Sequence, residues 1–254
     1  NPHDASALHS NIAFVVRGAI LQELFEAEKS VAVMSGAKPE WFDSYDIQSV
    51  GRESDSQEGY DVQLLTEGKI KKHLIQEVAE TTNGDTIRIG VFYMSDRDLV
   101  KELLKAAERN VDVRLILDAN KDAFGREKNG VPNRPVAHEL LKQSNGRIQI
   151  RWYNTNGEHY HTKLAMIESA NEMVLIGGSA NFTKRNLDDF NLELNLKITG
   201  APDQAAMQKA KNYFEMIWMN DGGFFTLDYE EYADESLLSK VLYRFQEWSG
   251  MSTF

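Results

Sequence analysis

The hydrophobic pattern between residues 61 and 219 alternates between the periods of a helix and of a strand. Apolar residues recurring every three or four positions predict helices over residues 68–81, 96–107, 136–143 and 203–219, with a further helix over residues 235–248. Ser95 or Asp96 is expected to cap the second of these helices. Short apolar or alternating runs predict strands over residues 62–65, 86–93, 111–117, 148–153, 159–167, 173–176 and 191–198. Strands separated by helices favour an α/β layered fold, with a mostly parallel or mixed sheet flanked by helices.

The first sixty residues contain too few elements to fold alone. A strand is predicted over residues 12–16 and a helix over residues 19–33. Residues 36–60 are rich in Ser, Asp, Glu, Gly and Gln, and we interpret them as a connection. One strand and one helix cannot enclose a hydrophobic core, so this part needs a structural partner elsewhere.

Composition limits the classes of function. The chain has 254 residues, no cysteine and a formal net charge of −11, from 28 basic and 39 acidic side chains. The absence of cysteine excludes disulfides, thiolate metal sites and a cysteine nucleophile, but it leaves the compartment open. A broad nucleic-acid surface is disfavoured, because such binding depends on many Lys and Arg side chains. No apolar run approaches the ~18–20 residues that span a bilayer.

One segment combines residue types that suit phosphate chemistry. His161 and Lys163 are two positions apart on a predicted strand, so their side chains are expected on the same face. The imidazole can attack phosphorus or donate a proton to a leaving oxygen, while the ammonium holds non-bridging oxygens. Further along, the run Gly177-Gly178-Ser179-Ala180-Asn181 allows close backbone approach and supplies donors from Ser179 and Asn181.

Glu193 and three other histidines extend this hypothesis. Glu193, on the next apolar strand, is expected to accept a proton from the far nitrogen of a catalytic imidazole and so fix its tautomer. His159 would share the strand face of His161, and it either lines the pocket or is an ordinary surface residue. The same two interpretations stay open for His3 and His9.

A weak internal repeat links the two ends of the chain. Residues 1–17 align with residues 181–197, because both segments begin with Asn and carry a second Asn ten positions later. Both then continue as an apolar, β-type run into a helix. In this alignment Asn1 and Asn11 occupy the two Asn positions, and Ala13 stands where the second copy has its carboxylate.

This arrangement resembles the phospholipase D superfamily, whose signature is His-x-Lys-x4-Asp followed by a Gly-Gly/Ser and Asn segment. Here His161, Lys163 and Gly177–Asn181 carry the resemblance, and Glu168 stands where the family usually has Asp. In that family two such motifs meet at a pseudo-two-fold axis, where one His forms a phosphohistidine and the other protonates the leaving group. The resemblance implies the same mechanism here, and it implies that no metal or other cofactor is required.

The resemblance also assigns roles to individual residues. The implied roles are catalytic for His161, Lys163 and Glu193, phosphate-binding for Lys163, Ser179 and Asn181, and supporting for Glu168, Asn1 and Asn11. Strand alternation turns Glu168 away from His161, so a structural role is expected for it. Family members with two unequal lobes often use the second-lobe His as the acid, and we therefore expect His161 to be the general acid.

The same resemblance divides the chain into unequal parts. Residues 1–35 match the end of a first lobe, residues 36–60 connect the lobes, and residues 61–254 form the second phospholipase D-like lobe. The sequence begins just after the position of the first His-x-Lys motif. We therefore expect the first catalytic half to be a separate chain or a missing fragment.

The leading hypothesis is a phosphodiesterase or transphosphatidylase that acts on phospholipid head groups, as in bacterial phospholipase D and cardiolipin synthase. Residues Asn1–Ser6 and Ala180–Leu187 resemble these lipid-type members more than the short dimeric nucleases. The expected partner is a phospholipid, with a membrane surface left open, in a membrane-associated or secreted bacterial protein. The alternatives are a nuclease of the same superfamily and a non-catalytic lobe that needs a separate first half.

Overall fold

The computed structural model describes residues 9–45, 59–123, 126–127, 129–155 and 158–249. Within these residues eight strands form one sheet and two form a separate hairpin. The sheet strands are β1 (Asp61–Thr66), β2 (Thr86–Val91), β3 (Asp112–Leu117), β6 (Ile148–Tyr153), β7 (Lys163–Glu168), β8 (Met173–Gly178), β9 (Leu194–Gly200) and β10 (Thr226–Asp228), and the hairpin strands are β4 (Asp122–Ala123) and β5 (Arg126–Glu127). Their order in the sheet is β1-β9-β8-β7-β2-β3-β6-β10. Strands β2, β3 and β6 are parallel and the other neighbours are antiparallel, so the sheet is mixed.

Helices cover both faces of this sheet. The described α-helices are α1 (Ile20–Met34), α2 (Gly68–Glu80), α3 (Arg97–Glu108), α4 (Asn133–Gln143), α5 (Lys184–Leu187), α6 (Ala205–Met219) and α7 (Leu237–Ser249). Helices α2, α3 and α4 contribute Leu74, Leu103 and Leu140 to the core on one face. On the other face α6 contributes Phe214 and Trp218. The predicted α/β fold, a mixed sheet flanked by helices, is confirmed.

Helix α3 shows why local sequence predicts most of these elements. Leu99, Val100 and Leu103 are fully buried along one stripe of the helix. The carboxylate of Asp96 accepts hydrogen bonds from the backbone N–H groups of Asp98 and Leu99 and so caps the first turn. Of the two residues expected to cap this helix, Asp96 is therefore the one that does so.

The predicted strand over residues 12–16 is wrong. These residues belong to an extended segment, residues 9–17, which we call the arm. Among the described residues, the arm forms one isolated parallel β-bridge, between Ser10 and the segment that precedes β7. Ile12 and Phe14 pack against the core on the α6 side of the sheet. The two-residue period of this sequence therefore reflects one-sided packing of an extended chain and not the hydrogen bonds of a sheet.

The predicted start of β7 is also wrong. The strand begins at Lys163, because the backbone groups of residues 159–161 bond to other partners. The amide of Tyr160 donates to the buried carboxylate of Asp118 at 2.9 Å, and the groups on either side pair with the arm. His161 therefore lies just before the strand and not on it.

The N-terminal part of the chain has few described elements. Helix α1 follows the arm, and a 3₁₀ helix spans Pro39–Phe42. Most of the predicted connection, residues 46–58, lies outside the described residues. The division into residues 1–35, 36–60 and 61–254 stays a prediction.

The buried side of helix α7 carries polar groups, and its exposed side is apolar. Its buried residues are Tyr243 and Glu247, whereas Leu238, Val241 and Trp248 are 82%, 66% and 76% exposed. The buried Glu247 accepts two hydrogen bonds of 2.7 Å from groups outside the helix. This exposed apolar face does not make α7 a membrane span, since no helix in the described part of the chain is long and apolar enough to cross a bilayer.

Candidate active site

The candidate site lies at the edge of the sheet where β2 and β8 end and β7 begins. Lys163, the first residue of β7, is only 5% exposed. Its Nζ donates to the backbone oxygen of His161 at 2.8 Å and lies 5.4 Å from the centre of the Phe92 ring. Burial lowers the pKa of Lys163 to about 7, although the charges of Glu193 and Asp118 oppose the shift. Lys163 can therefore gain or lose its proton near neutral pH.

The imidazole of His161 lies half-buried beside this ammonium. Its Nδ1 is 3.2 Å from Oδ1 of Asn11, which belongs to the arm. Burial is the largest cause that lowers the pKa of His161 to about 3, and the positive charges of Lys163, His9 and His159 act in the same direction. The ring is therefore neutral at physiological pH, which suits a nucleophile better than the general acid expected above.

Two further imidazoles lie against the same site. The rings of His9 and His159 stack with their centroids 4.5 Å apart and their planes 8° apart. The backbone N–H of His159 donates to Nδ1 of His9 at 2.9 Å, and the His9 ring is 6.2 Å from the ring of His161. Both rings therefore lie near His161, and their pocket-lining role stays a prediction. His3 and Asn1 lie outside the described residues.

Glu193 is held by two short hydrogen bonds. Oγ of Ser179 donates to its Oε2 and Nδ2 of Asn186 donates to its Oε1, both at 2.5 Å. The described contact at Nδ1 of His161 is made by Asn11. The described orienting partner of His161 is thus an amide of the arm, and the expected role of Glu193 toward a catalytic imidazole stays a prediction.

The glycine pair allows β9 and the arm to approach the end of β8 closely. A Cβ atom at Gly178 would lie 2.3 Å from the backbone oxygen of Leu194 and 2.6 Å from Cα of Asn195, which both belong to β9. At Gly177 it would lie 2.8 Å from the ring of Phe14 on the arm. Larger residues at these positions would push β9 and the arm away from the site.

Ser179 and Asn181 hold the loop that follows β8. Oγ of Ser179 donates to Glu193 and accepts a hydrogen bond of 3.0 Å from the N–H of Leu194. Oδ1 of Asn181 accepts from the N–H of Tyr93 at 3.3 Å, which orients the amide at the end of β2. Their role in binding phosphate stays a prediction.

Glu168 does not join the site. It ends β7, five residues after Lys163, which is about 17 Å along a strand at ~3.3 Å per residue. Its carboxylate pairs with Lys211 on α6 at 2.7 Å. Glu168 therefore has the structural role that strand alternation had suggested, and it does not support the catalytic groups directly.

Asp118 is a site residue that the sequence analysis missed. It follows β3 and is buried, and its carboxylate accepts hydrogen bonds from the backbone N–H groups of Asn120 and Tyr160 at 2.7 and 2.9 Å. It thereby fixes the segment that carries His161, and its charge favours the protonated form of Lys163. A carboxylate at the carboxyl end of a buried parallel strand is the signal that could have identified it.

The side chains gathered here suit phosphoryl transfer. A neutral imidazole can supply a lone pair to phosphorus, and a neighbouring ammonium can stabilise charge on the non-bridging oxygens. In the described part of the chain, no group of three or more His, Asp or Glu side chains is arranged to hold a metal ion. The fold and this site together define a class of phosphodiester-processing proteins built on a mixed sheet.

Comparison with protein families identifies the class more closely. The model described as "Cardiolipin synthase, PLD-like domain" matches residues 74–218, which is more than half of the chain. The chain belongs to this phospholipase D-like family. Among curated proteins, none matches the sequence significantly.

Two solved structures, given first, have the same fold, and a third is similar in part. NucT from Helicobacter pylori is 19% identical with a TM-score of 0.50, and the match covers 65% of this chain and 99% of that one. The phosphatidylserine synthase of Haemophilus influenzae is 15% identical with a TM-score of 0.53, over 75% of this chain and 46% of that one. Nuc from Salmonella typhimurium, a phospholipase D family member, is 20% identical with a TM-score of 0.49, over 63% and 95%.

Proposed function

We propose that this chain supplies one half of the active site of a phospholipase D-type phosphodiesterase that acts on phospholipid head groups. The reaction is hydrolysis or phosphatidyl transfer through a phosphohistidine. His161 provides an imidazole that reacts at the phosphodiester, and Lys163 holds the non-bridging oxygens. Glu193, Ser179 and Asn181 shape the loop around them, and a second His-Lys pair comes from another chain or segment.

The observation that carries the proposal is that the half-buried imidazole of His161 lies beside the buried amine of Lys163. Nζ of Lys163 and the ring of His161 both lie against the ring of Phe92, at 5.4 and 5.1 Å from its centroid, so the two groups are neighbours. A bound phosphate brings negative charge, which favours the protonated form of Lys163 and offsets the burial that lowers its pKa. A charge held in place before the reaction stabilises the transition state without reorganisation.

A phospholipid is the better substrate class on three grounds. The family model that matches this chain carries the description "Cardiolipin synthase, PLD-like domain". The fold is similar to that of a phosphatidylserine synthase. The net charge of −11 opposes binding of a long polyanion, whereas a single lipid phosphate needs only a local positive group such as Lys163.

The test is head-group release together with a covalent adduct. The chain, at several concentrations, is incubated with mixed micelles of phosphatidylglycerol and phosphatidylcholine, or with a single-stranded DNA oligonucleotide. Released glycerol or choline is measured, and mass spectrometry detects any adduct on His161. When the second His-x-Lys pair is supplied, by self-association at high concentration or by an added chain, we expect release and adduct with lipid. Neither should occur in His161→Asn, while the control His73→Asn on α2 keeps both.

Each other outcome overturns part of the proposal. Cleavage of DNA without lipid turnover would establish the nuclease alternative. Failure with both substrates at every chain concentration, with and without an added chain that carries a second His-x-Lys motif, would establish a non-catalytic lobe.

A further inference from the structure

The arm is docked against the segment that carries His161 by backbone hydrogen bonds. The N–H of Ser10 donates to the oxygen of His159 at 3.0 Å, and the N–H of His161 donates to the oxygen of Ser10 at 2.9 Å. Ser10 and Tyr160 thus form a parallel bridge. This pairing fixes where the neighbouring side chain of Asn11 lies, although it is 150 positions from His161 in the sequence.

The amide of Asn11 has a defined orientation. Its Nδ2 donates to the backbone oxygen of His9 at 3.1 Å, and this contact turns Oδ1 toward Nδ1 of His161 at 3.2 Å. An amide oxygen accepts hydrogen bonds and cannot donate them. This contact is a hydrogen bond only when Nδ1 of His161 carries the proton, and in a neutral ring Nε2 then carries none.

We propose that Asn11 is a positioning residue, which holds His161 as the Nδ1–H tautomer and leaves the lone pair of Nε2 to attack phosphorus. This inference rests on the proposed function and deepens it, because it selects between the nucleophile and acid roles of His161. Free histidine has no partner that fixes one tautomer, so the arm supplies what the ring alone lacks.

In the proposed reaction His161 attacks through Nε2 and keeps its proton on Nδ1. The Nε2 lone pair forms the N–P bond while the bond from phosphorus to the leaving oxygen breaks, and that oxygen takes the electron pair. The Nδ1 proton stays on the ring, where Oδ1 of Asn11 accepts its hydrogen bond. An alkoxide leaving group takes a proton from the imidazolium of the second half-site, whereas p-nitrophenolate can depart without one.

A neutral partner at Nδ1 has a different effect from a carboxylate. Among the described residues, Lys163, His9 and His159 are titratable groups near the ring, and the positive form of each disfavours a charge on His161. Asn11 adds no negative charge to offset them. The ring stays neutral and nucleophilic, whereas a carboxylate at the same place would favour the imidazolium.

The first measurement is the tautomer itself, in the full chain labelled with ¹⁵N histidine. We expect Nδ1 of His161 to show the chemical shift of a protonated nitrogen and Nε2 that of an unprotonated one. In Asn11→Ala the proton should redistribute toward Nε2. A wild-type ring with its proton on Nε2, or a ring unchanged in Asn11→Ala, overturns the inference even where no activity is found.

The second measurement is the burst of p-nitrophenolate from bis(p-nitrophenyl) phosphate. Asn11→Ala should slow the burst by about tenfold or more, as losses of groups that orient a reactive imidazole do. Asn11→Asp should restore the burst and move its acid limb upward by about 1–3 pH units, because a carboxylate favours the imidazolium. The control Asn171→Ala, in the exposed turn before β8, should match the wild type.

The tautomer and the burst together distinguish failure of the proposed function from failure of the positioning role of Asn11. Absence of any burst in the wild type counts against the proposed function, while the tautomer still decides the role of Asn11. An Asn11→Ala burst equal to that of the wild type contradicts the positioning role.

Discussion

Lys163 is a single side chain whose charge is set by where the fold places it. Its ammonium starts β7 in a buried position, and burial brings its pKa to about 7. The buried Asp118 and the anchored Glu193 limit that shift by their charge. The affinity of the free site for a phosphate should therefore change across neutral pH.

This placement predicts an alkaline limit of activity. The value of kcat/KM reports the free enzyme, so it should fall above about pH 7 as Lys163 loses its proton. In Lys163→Arg the guanidinium stays charged, so kcat/KM should not fall between about pH 6 and 9, even where the rate itself is lower. The measurement is a pH profile with bis(p-nitrophenyl) phosphate.

Lys211→Arg is the matched control, because Lys211 pairs with Glu168 at the far end of β7. It should leave the profile unchanged. A limb that persists near pH 7 in a folded Lys163→Arg variant would show that another group loses the proton.

At the scale of elements, α7 is joined to α4 through one buried carboxylate. Glu139 accepts hydrogen bonds from Tyr243 on α7, and it pairs at 2.8 Å with both Arg97 and Arg244. Burial opposes ionisation of Glu139, but hydrogen bonds from Arg97 and Tyr243 and the charges of the two arginines outweigh it and lower its pKa to about 2. The charge of Glu139 therefore stabilises the fold.

We expect Glu139→Gln to lower the free energy of unfolding at pH 7 by about 1.5–3 kcal/mol, the range for hydrogen bonds to charged groups. The folded pKa lies below the unfolded value of 4.5, so this stabilisation is present above about pH 4.5 and is lost as the pH falls toward 2. The difference between wild type and variant should shrink over that window. Urea unfolding at pH 7 and at pH 3.5 measures this difference in the free energy of unfolding, and exposed Glu108→Gln is the control. Equal differences at both pH values would contradict the assignment.

Hydrophobic periodicity predicts the helices and strands whose own side chains form a packing face. It does not predict structure that depends on contacts with residues far away in the sequence. The stripe of α3 and the cap at Asp96 are local, so both could be predicted from the sequence. The arm has the period of a strand, yet its backbone pairs only where Ser10 meets the segment before β7. Asp118 and Asn11 gain their roles from contacts across the fold, which spacing along the chain does not reveal.

For the whole molecule, the sequence contains a single His-x-Lys pair, His161 and Lys163, whereas the family mechanism uses two. One pair can form an adduct but lacks the second imidazole to assist leaving groups and water. We expect a burst of about one p-nitrophenolate per chain followed by slow turnover, because general acid–base help contributes about 10²–10⁴-fold.

Steady-state turnover per chain should rise with chain concentration, or on adding a chain that carries a second motif. Sedimentation in parallel reports the oligomeric state. Rapid turnover by a proven monomer, independent of concentration, would refute the need for a second pair.

The contact between the arm and His161 also has a consequence for inheritance. Asn11 and His161 are separated by 150 positions, yet a change at either position alters the same ring nitrogen. Recombination that exchanged residues 61–254 without the arm would separate the pair and leave the sheet intact. An acidic residue at position 11 should accompany enzymes adapted to a different range of acidity, while His161 itself stays unchanged.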